Sequence, residues 1–284
     1  MFILGAVKKH AAGIPVFIWM GVLVGCPLIY IFVLSFLTRG PSGAVVFQFT
    51  LENYARIFEP VNLRIFGESI FAAVATSLVT LLIGYPFAYF TSRLNKKIRL
   101  YVLAFVMIAF WTSSLIRTYG WIIILQNNGV FSNLLQFLGV ISSPRRFMYS
   151  FPSVLLVTVY MFLPFMILPV YNAVEKIDPS LYEASYDLGA GRLKTFAKIT
   201  LPLSKAGIAG GITLTFIPSV GLYFISDLVG GAKTMLLGNL IKNQMESARN
   251  WPFGAALSVV MLVLVLLFII IYLAVAGDNG EGLF

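Results

Sequence analysis

Residues 151–174 read FPSVLLVTVYMFLPFMILPVYNAV, a run of 24 residues without one charged side chain. A helix that crosses the hydrocarbon core of a membrane needs about 20 predominantly apolar residues, so this run is long enough. Its apolar side chains surround the helix rather than form one stripe, which favours burial in lipid over a place in a soluble core. The stretch therefore predicts a membrane-spanning helix.

Five further runs of the same kind flank it. The third is free of charge only to Ile116, and we expect it to continue past Arg117. The first is longer than the apolar region of a signal peptide and lacks a clear small-residue cleavage site, so we expect it to be retained. The predicted spans are residues 14–37, 69–92, 100–125, 151–174, 206–226 and 252–276. The sequence thus predicts an all-α polytopic membrane protein with six transmembrane helices in a single domain, residues 1–284.

The composition excludes several other classes of protein. Of the 284 residues, 59% are hydrophobic and only 11% are charged, against about 25% charged in a soluble domain. Such hydrophobicity also argues against disorder. Because Cys26 and His10 are the sole residues of their types, the chain offers no internal disulfide, no zinc site of the usual Cys/His kind and no catalytic His arrangement. We expect no metal site.

Basic residues concentrate between the second and third spans, and they set the orientation. Residues 93–99 read RLNKKIR, with four positive charges in seven residues. Short loops rich in Lys and Arg remain in the cytoplasm. The N-terminus, residues 175–205 and the C-terminus are then predicted to be cytoplasmic as well. The net charge of +9 is therefore explained by membrane topology rather than by nucleic-acid binding.

Residues 175–205 predict a pair of short helices lying across the membrane surface. Asp178 and Pro179 are typical of a helix start, and Gly189 of a left-handed helix end. A second helix is expected over residues 192–199, ending before Pro202. An apolar or small stripe on the first helix would comprise Leu181, Ala184, Ser185 and Leu188.

The same loop resembles the EAA loop of ABC importer permeases. The family pattern is E-A-A, three residues, G, nine residues, then I-x-L-P, and this chain departs from it once, with Ser185 in place of the second Ala. The resemblance implies type I ABC importer permease architecture and a helix pair that couples to a separate ATPase subunit. The ATPase-coupling residues would be Glu183, Ala184, Ser185, Asp187, Gly189, Ile199, Leu201 and Pro202.

Other stretches resemble the permeases of spermidine/putrescine importers. They are FTLENY (49–54), GYPFAY (84–89), FWTSSLIRTYG (110–120), SDLVGGAK (226–233) and WPFG (251–254). The resemblance implies polyamine transport across a bacterial inner membrane. It also implies three kinds of partner: a second permease subunit forming a heterodimer, an ATPase subunit dimer and an external substrate-binding protein.

The chain is not expected to be an enzyme or to bind a cofactor. Residues 230–234 read GGAKT, which departs from a phosphate-binding loop because Ala232 occupies the position of the required Gly. The segment also follows a span that is predicted to exit on the outer side, away from cytoplasmic ATP. ATP hydrolysis would therefore belong to the partner.

A passage for a polyamine needs carboxylates and aromatic faces to offset the loss of hydration. Asp227, close to Tyr223, lies at the predicted outer end of the fifth span and is the leading candidate. Arg117 either lies within the membrane or extends to the interface, and the aromatic candidates could equally form an interfacial belt. Tyr54 belongs to a short helix predicted over residues 50–58, capped by Thr50 and lying on the outer interface or at the opening of the pathway. The remaining candidates are Trp111, Tyr119 and Trp121.

Alternative functions remain open at this stage. A permease for another solute, such as thiamine, ferric iron or an anion, would share much of this pattern. A secondary transporter is a further alternative, although the sequence has no evident internal repeat of the kind that such proteins often carry. For an ABC importer, we expect ATPase closure to move the 178–199 helix pair and to tilt spans three to five.

Overall fold

A computed structural model describes residues 19–41, 43–231 and 234–277 of the chain. The described part is mostly helical, which confirms the predicted fold class, with one small β-hairpin added. It divides into two compact units, one of residues 19–63 with 240–264 and the other of residues 64–239 with 265–277. Residues 14–18 of the first predicted span, His10, Ala232 and Lys233 lie outside the described residues.

The first unit contains the hairpin, which the sequence did not predict. Helix α1 (Gly21–Leu34) is followed by strands β1 (Leu37–Arg39) and β2 (Val45–Phe49), which pair antiparallel. The first predicted span therefore ends at residue 34 rather than 37, because Leu37 pairs with Phe49. Buried Asn53 donates hydrogen bonds to the carbonyls of Ser35 (3.0 Å) and Leu37 (2.9 Å), which holds the turn between α1 and β1.

The helix predicted near residues 50–58 is present as α2 (Glu52–Ile57). The Thr50 hydroxyl accepts the Glu52 backbone N–H at 3.1 Å, as expected of a residue that starts a helix. Its inward face consists of Asn53 and Ile57, whereas Leu51 and Phe58 are exposed.

The remaining helices follow in chain order, with short π-helical turns at Ser226–Gly230 and Asn243–Ser247. They are α3 (Pro60–Ser92), α4 (Lys96–Trp111), α5 (Ser114–Leu125), α6 (Val130–Phe137), α7 (Phe151–Glu175), α8 (Pro179–Asp187), α9 (Arg192–Leu203), α10 (Lys205–Gly221), α11 (Leu237–Lys242) and α12 (Trp251–Gly277).

Within the described residues, three helices are long and apolar enough to cross a membrane: α3, α7 and α12. The pair α9–α10, bent by 62° at Ser204, makes a fourth if it counts as one span. The predicted third span is two helices, because Thr112 and Ser113 both adopt extended backbone angles between α4 and α5. The count of six spans stays a prediction.

The largest differences from the predicted span boundaries are at the start of α3 and at the end of α10. Helix α3 begins at Pro60 rather than at residue 69, because Arg64 and Glu68 pair at 2.8 Å one turn apart and allow the helix to continue through charged residues. Helix α10 ends at Gly221 rather than at residue 226, since Leu222 is extended. The predicted fourth and sixth spans, by contrast, agree with α7 and α12 within one residue at each end.

Glycines on α10 bring it close to α7. A Cβ on Gly207 would lie 2.5 Å from the Cβ of Ala173, and a Cβ on Gly211 would lie 2.5 Å from the Sδ of Met166. The two glycines are four residues apart and so share one helix face. Small residues at this spacing let membrane helices pack closely and gain van der Waals contact. The α7–α10 contact therefore depends on the absence of side chains at both positions.

We expect Gly207→Val and Gly211→Leu to destabilise the protein by about 2 kcal/mol, because an added side chain must displace α7. Thermal unfolding of the purified protein in detergent measures the effect as a lower Tm. Gly210→Ala is the matched control, since its nearest neighbour, the Cβ of Pro169, would be 3.7 Å away. An equal loss of Tm in all three variants would contradict the role of close packing.

Candidate coupling loop and substrate pathway

Helix α8 begins and ends as the sequence predicts. The Asp178 carboxylate accepts the Ser180 backbone N–H at 2.9 Å, and this hydrogen bond lowers the pKa of that carboxyl. Pro179 occupies the first turn, where no N–H is needed. Gly189 adopts φ +75°, and its N–H donates to the Tyr186 carbonyl at 2.9 Å. The left-handed conformation suits Gly because it carries no Cβ.

Helix α9 is longer than predicted. It runs from Arg192 to Leu203 and passes through Pro202, before which we had expected it to end. A π-helical turn at Phe196–Thr200 precedes Pro202. Pro202 then falls in the first turn of the next α-helical segment, where its missing N–H costs little.

Ser185, the one departure from the family pattern, has a partner in the neighbouring helix. It is buried, and its hydroxyl lies 2.7 Å from the hydroxyl of Thr195, which is also buried. The hydrogen bond joins α8 to α9 directly. An alanine at residue 185 could not make this contact.

The outer surface of the helix pair is apolar and unburied. Leu188 and Leu193 are 87% and 85% exposed, and Leu181 and Tyr186 are also exposed. We call these four residues the docking face. Of the predicted stripe on this helix, Leu181, Ala184 and Leu188 are exposed, whereas Ser185 is buried.

The remaining predicted coupling residues divide between the two helices. Glu183, Ala184, Asp187 and Gly189 are exposed around the docking face. On α9, Leu201 and Pro202 are exposed, and Ile199 is half-buried.

Asp227 does not lie at the end of a span. It belongs to the π-helical turn Ser226–Gly230, which lies in the break between α10 and α11 (residues 222–236, all described except 232 and 233). Its side chain is half-buried, and its Oδ1 accepts a hydrogen bond from the Nδ2 of Asn239. The same Nδ2 donates to the Tyr223 carbonyl at 3.1 Å, and the Asp227 N–H donates to that carbonyl at 2.9 Å. Asn239 therefore fixes Asp227 and Tyr223 relative to each other.

Other buried polar groups satisfy the backbone of this break. The Ser69 hydroxyl of α3 accepts the Leu237 N–H at 2.7 Å, and the Ser226 hydroxyl donates to the Thr234 carbonyl. The Oδ1 of Asn239 accepts the Leu236 N–H at 3.2 Å. Irregular backbone at membrane depth is tolerated only where protein groups or a polar cavity provide such partners. Sequence reasoning missed Ser69 and Asn239, because an uncharged polar residue beside an apolar run carries no positional signal.

Of Trp111, Tyr119 and Trp121, only Trp121 packs against side chains of this break. It packs against a hydrophobic cluster that contains Ile225 and Val229, and its ring meets Tyr160 edge-to-face with 5.4 Å between centroids. Trp111 (82% exposed) and Tyr119 (55% exposed) lie on outer faces of α4 and α5 and are not part of that cluster.

Arg117 and Tyr54 have different surroundings. The guanidinium carbon of Arg117 lies 6.0 Å from the Phe110 ring centroid, and its buried Nε has no hydrogen-bond partner among the described residues. Tyr54 belongs to the first unit, where its hydroxyl is 2.7 Å from that of Ser35 and its ring packs on Phe36. These contacts give Tyr54 a structural role in that unit.

Comparisons with known proteins show the family of the chain and its fold. The chain is 42% identical over 254 residues to the spermidine/putrescine transport system permease protein PotB of Salmonella typhimurium, covering 89% of this chain and 88% of the relative. PotB of Haemophilus influenzae is 40% identical over 257 residues, covering 90% of each. A solved bacterial ABC transporter involved in alginate import superposes with a TM-score of 0.76 at 16% identity, covering 99% of this chain and 100% of that chain, which shows the shared fold alone.

The family comparison covers most of the chain. Residues 81–277 match the binding-protein-dependent transport system inner membrane component family. That range includes the helix pair α8–α9, the break at residues 222–236 and the described part of the last span. The chain therefore belongs to this family, as a membrane permease subunit of an ABC importer rather than an enzyme.

Proposed function

We propose that the chain is the permease subunit of a polyamine importer and provides half of a pathway for spermidine or putrescine. The observation that carries the proposal is the 40–42% identity, over most of the chain, to relatives named as spermidine/putrescine permeases. The half-buried carboxylate of Asp227 supports it, because a polyamine is a flexible multiple cation that needs negative charge along its path.

The pathway we propose passes the break at residues 222–236. Asn239 joins the Asp227 carboxylate to the Tyr223 carbonyl, and Trp121 packs against the cluster that supports the turn. Ammonium groups bind both carboxylates and aromatic faces. Discontinuous helices near the membrane midplane form the substrate sites of many transporters, which favours this break over the exposed Trp111 and Tyr119. Those two fit the interfacial belt better.

The partners follow from the same assignment. We propose that a second permease subunit completes the pathway, that an ATPase dimer binds the docking face, and that an external protein delivers the substrate. The four basic residues within 93–99 support a cytoplasmic position for this loop, for α8–α9 and for both termini.

Docking on α8–α9 would bury an apolar surface that is open in the isolated chain. Leu188 and Leu193 alone expose most of their side chains, and buried aliphatic side chains contribute about 1.5–3 kcal/mol each. Glu183 and Asp187, one turn apart on α8, repel each other mildly. A basic contact from the ATPase would relieve this repulsion.

Replacing Asp227 tests the pathway. We expect Asp227→Asn to raise the KM for spermidine uptake about tenfold, equivalent to about 1.4 kcal/mol, because the neutral amide no longer compensates the cation. Asn239→Ala should raise the KM less, since the Asp227 carboxylate keeps its charge and loses only the hydrogen bond that fixes its position. Uptake of labelled spermidine into proteoliposomes that contain the whole complex measures both.

The matched control is Glu246→Gln, which removes the same charge from an exposed carboxylate elsewhere in the chain. Unlabelled putrescine, thiamine, ferric iron and an anion such as sulfate serve as competitors. If only a non-polyamine competes, the substrate assignment is wrong. If uptake by Asp227→Asn matches the unmodified complex, the pathway assignment is wrong.

Substitutions on α8 test the docking face. We expect Glu183→Arg and Leu188→Asp to reduce co-purification of the ATPase at least about tenfold, because each places an unfavourable charge in the contact. Glu52→Arg on α2 makes the same charge change on an exposed residue and should leave co-purification intact. Normal ATPase binding by both α8 variants would refute the assignment.

A further inference from the structure

The coupling helices contact α3 through one arginine and a set of aromatic rings. Arg93 follows the last residue of α3, and its guanidinium carbon lies 4.4 Å from the ring centroid of Tyr89 and 4.9 Å from that of Tyr182. Tyr89 belongs to α3 and Tyr182 to α8. Arginine stacks well on aromatic faces because its guanidinium is planar and only weakly hydrated. One cation therefore joins α8 to the end of α3.

Helix α9 contacts α3 independently of Arg93. The ring of Phe196 meets Tyr85 and Tyr89 edge-to-face, with centroids 5.7 Å and 5.5 Å apart. The Tyr85 hydroxyl lies 2.9 Å from the hydroxyl of Ser204. Ser204 is fully buried at the 62° bend between α9 and α10. Both helices of the coupling pair are thus attached to the same end of α3.

These contacts are separate from the docking face. Leu188 and Leu193 are almost fully exposed, whereas Tyr182 and Phe196 turn toward α3 and are half-buried. The hydrogen bond between Ser185 and Thr195 joins the two helices to each other. A force applied to the docking face would therefore move α8 and α9 together, and their side-chain contacts would pass the movement to α3.

We propose that Tyr182, Arg93, Tyr89, Phe196, Tyr85 and Ser204 form a connection, the α3 ladder, that makes α3 move with the coupling helices. The inference rests on the proposed docking of an ATPase at α8–α9. It changes the expectation that ATPase closure tilts spans three to five, because the described side-chain contacts of Tyr182 and Phe196 lead to the second predicted span. These are positioning residues: they transmit movement and do not contact the substrate.

Distances measured by spin labels test the ladder without any transported substrate. In a Cys26→Ser background, one label at Ser180 on α8 is paired with a label at Leu82 on α3 or, separately, at Leu156 on α7, all three of which are exposed. The complex with its ATPase is compared without nucleotide and trapped with ATP and vanadate. We expect the Ser180–Leu82 distance to change by less than about 2 Å, and the Ser180–Leu156 distance to change by more than that.

Arg93→Gln combined with Phe196→Ala should release the constraint, because the two changes remove the ring contacts of both α8 and α9 with α3, so that the Ser180–Leu82 distance also changes on trapping. Arg93→Lys should keep the Ser180–Leu82 distance nearly constant on trapping, since a cation over the rings remains. Lys97→Gln is the matched control, because Lys97 is an exposed cation in the first turn of α4, close to Arg93 in the sequence. A Ser180–Leu82 distance that changes in the unmodified complex, or that stays fixed when Arg93→Gln and Phe196→Ala are combined, overturns the proposal.

Transport supplies a second readout that separates coupling from folding. We expect Arg93→Gln and Tyr182→Leu to lower spermidine uptake per ATP hydrolysed at least about fivefold, with the ATPase still bound, and Tyr182→Phe to restore it because the ring remains. The double variant should be no worse than Arg93→Gln alone, since Arg93→Gln already breaks the contact with Tyr182. The α3 ladder would be overturned if the losses of the two single variants add up in the double variant. It would also be overturned if spermidine uptake and ATP hydrolysis fall in proportion to each other. Loss of ATPase binding in Glu183→Arg but not in Arg93→Gln supports docking and ladder as separate elements.

Discussion

The close packing of α7 on α10 is the constraint on which the coupling loop and the pathway both depend. Gly207 and Gly211 leave no side chain between the helices, so van der Waals contact replaces the hydrophobic drive that is absent in lipid. In the chain, α7 leads into α8, and α9 leads into α10. The same helix pair therefore carries the coupling loop at one end and, beyond Gly221, the break at residues 222–236.

The sequence predicts the parts of this fold that follow from local chemistry. Uncharged runs located α7 and α12 closely, and Asp178, Pro179 and Gly189 located both ends of α8, because caps act through adjacent backbone groups. The β-hairpin escaped prediction because it is held by Asn53, whose amide reaches carbonyls that are far along the chain. The early end of α10 was not predicted for the same reason. The backbone after α10 forms hydrogen bonds with Ser69 and Asn239, which belong to other helices.

The candidate site residues also divide into those that the local sequence identifies and those that depend on contacts between helices. Asp227 was recognisable because a carboxylate beside an apolar run is costly and so needs a reason. The sequence gives no indication that Asn239 binds it, or that Trp121 and not Trp111 packs close to the turn, because both depend on which helices meet. For the coupling residues, the family pattern identified the positions, whereas the outward direction of Leu188 and Leu193 emerged only from the packing of α8 on α9.

The hydrogen bond between Ser185 and Thr195 limits how the loop can be exchanged between related permeases. An alanine at residue 185 would leave the Thr195 hydroxyl with its bond to the Gly191 carbonyl (3.2 Å) alone, and a hydrophobic residue at 195 would leave the Ser185 hydroxyl buried without its described side-chain partner. Unpaired buried hydroxyls are costly. The residues at 185 and 195 therefore depend on each other. A chimaeric permease in which this loop is exchanged to fit a foreign ATPase should take both residues from the same parent protein.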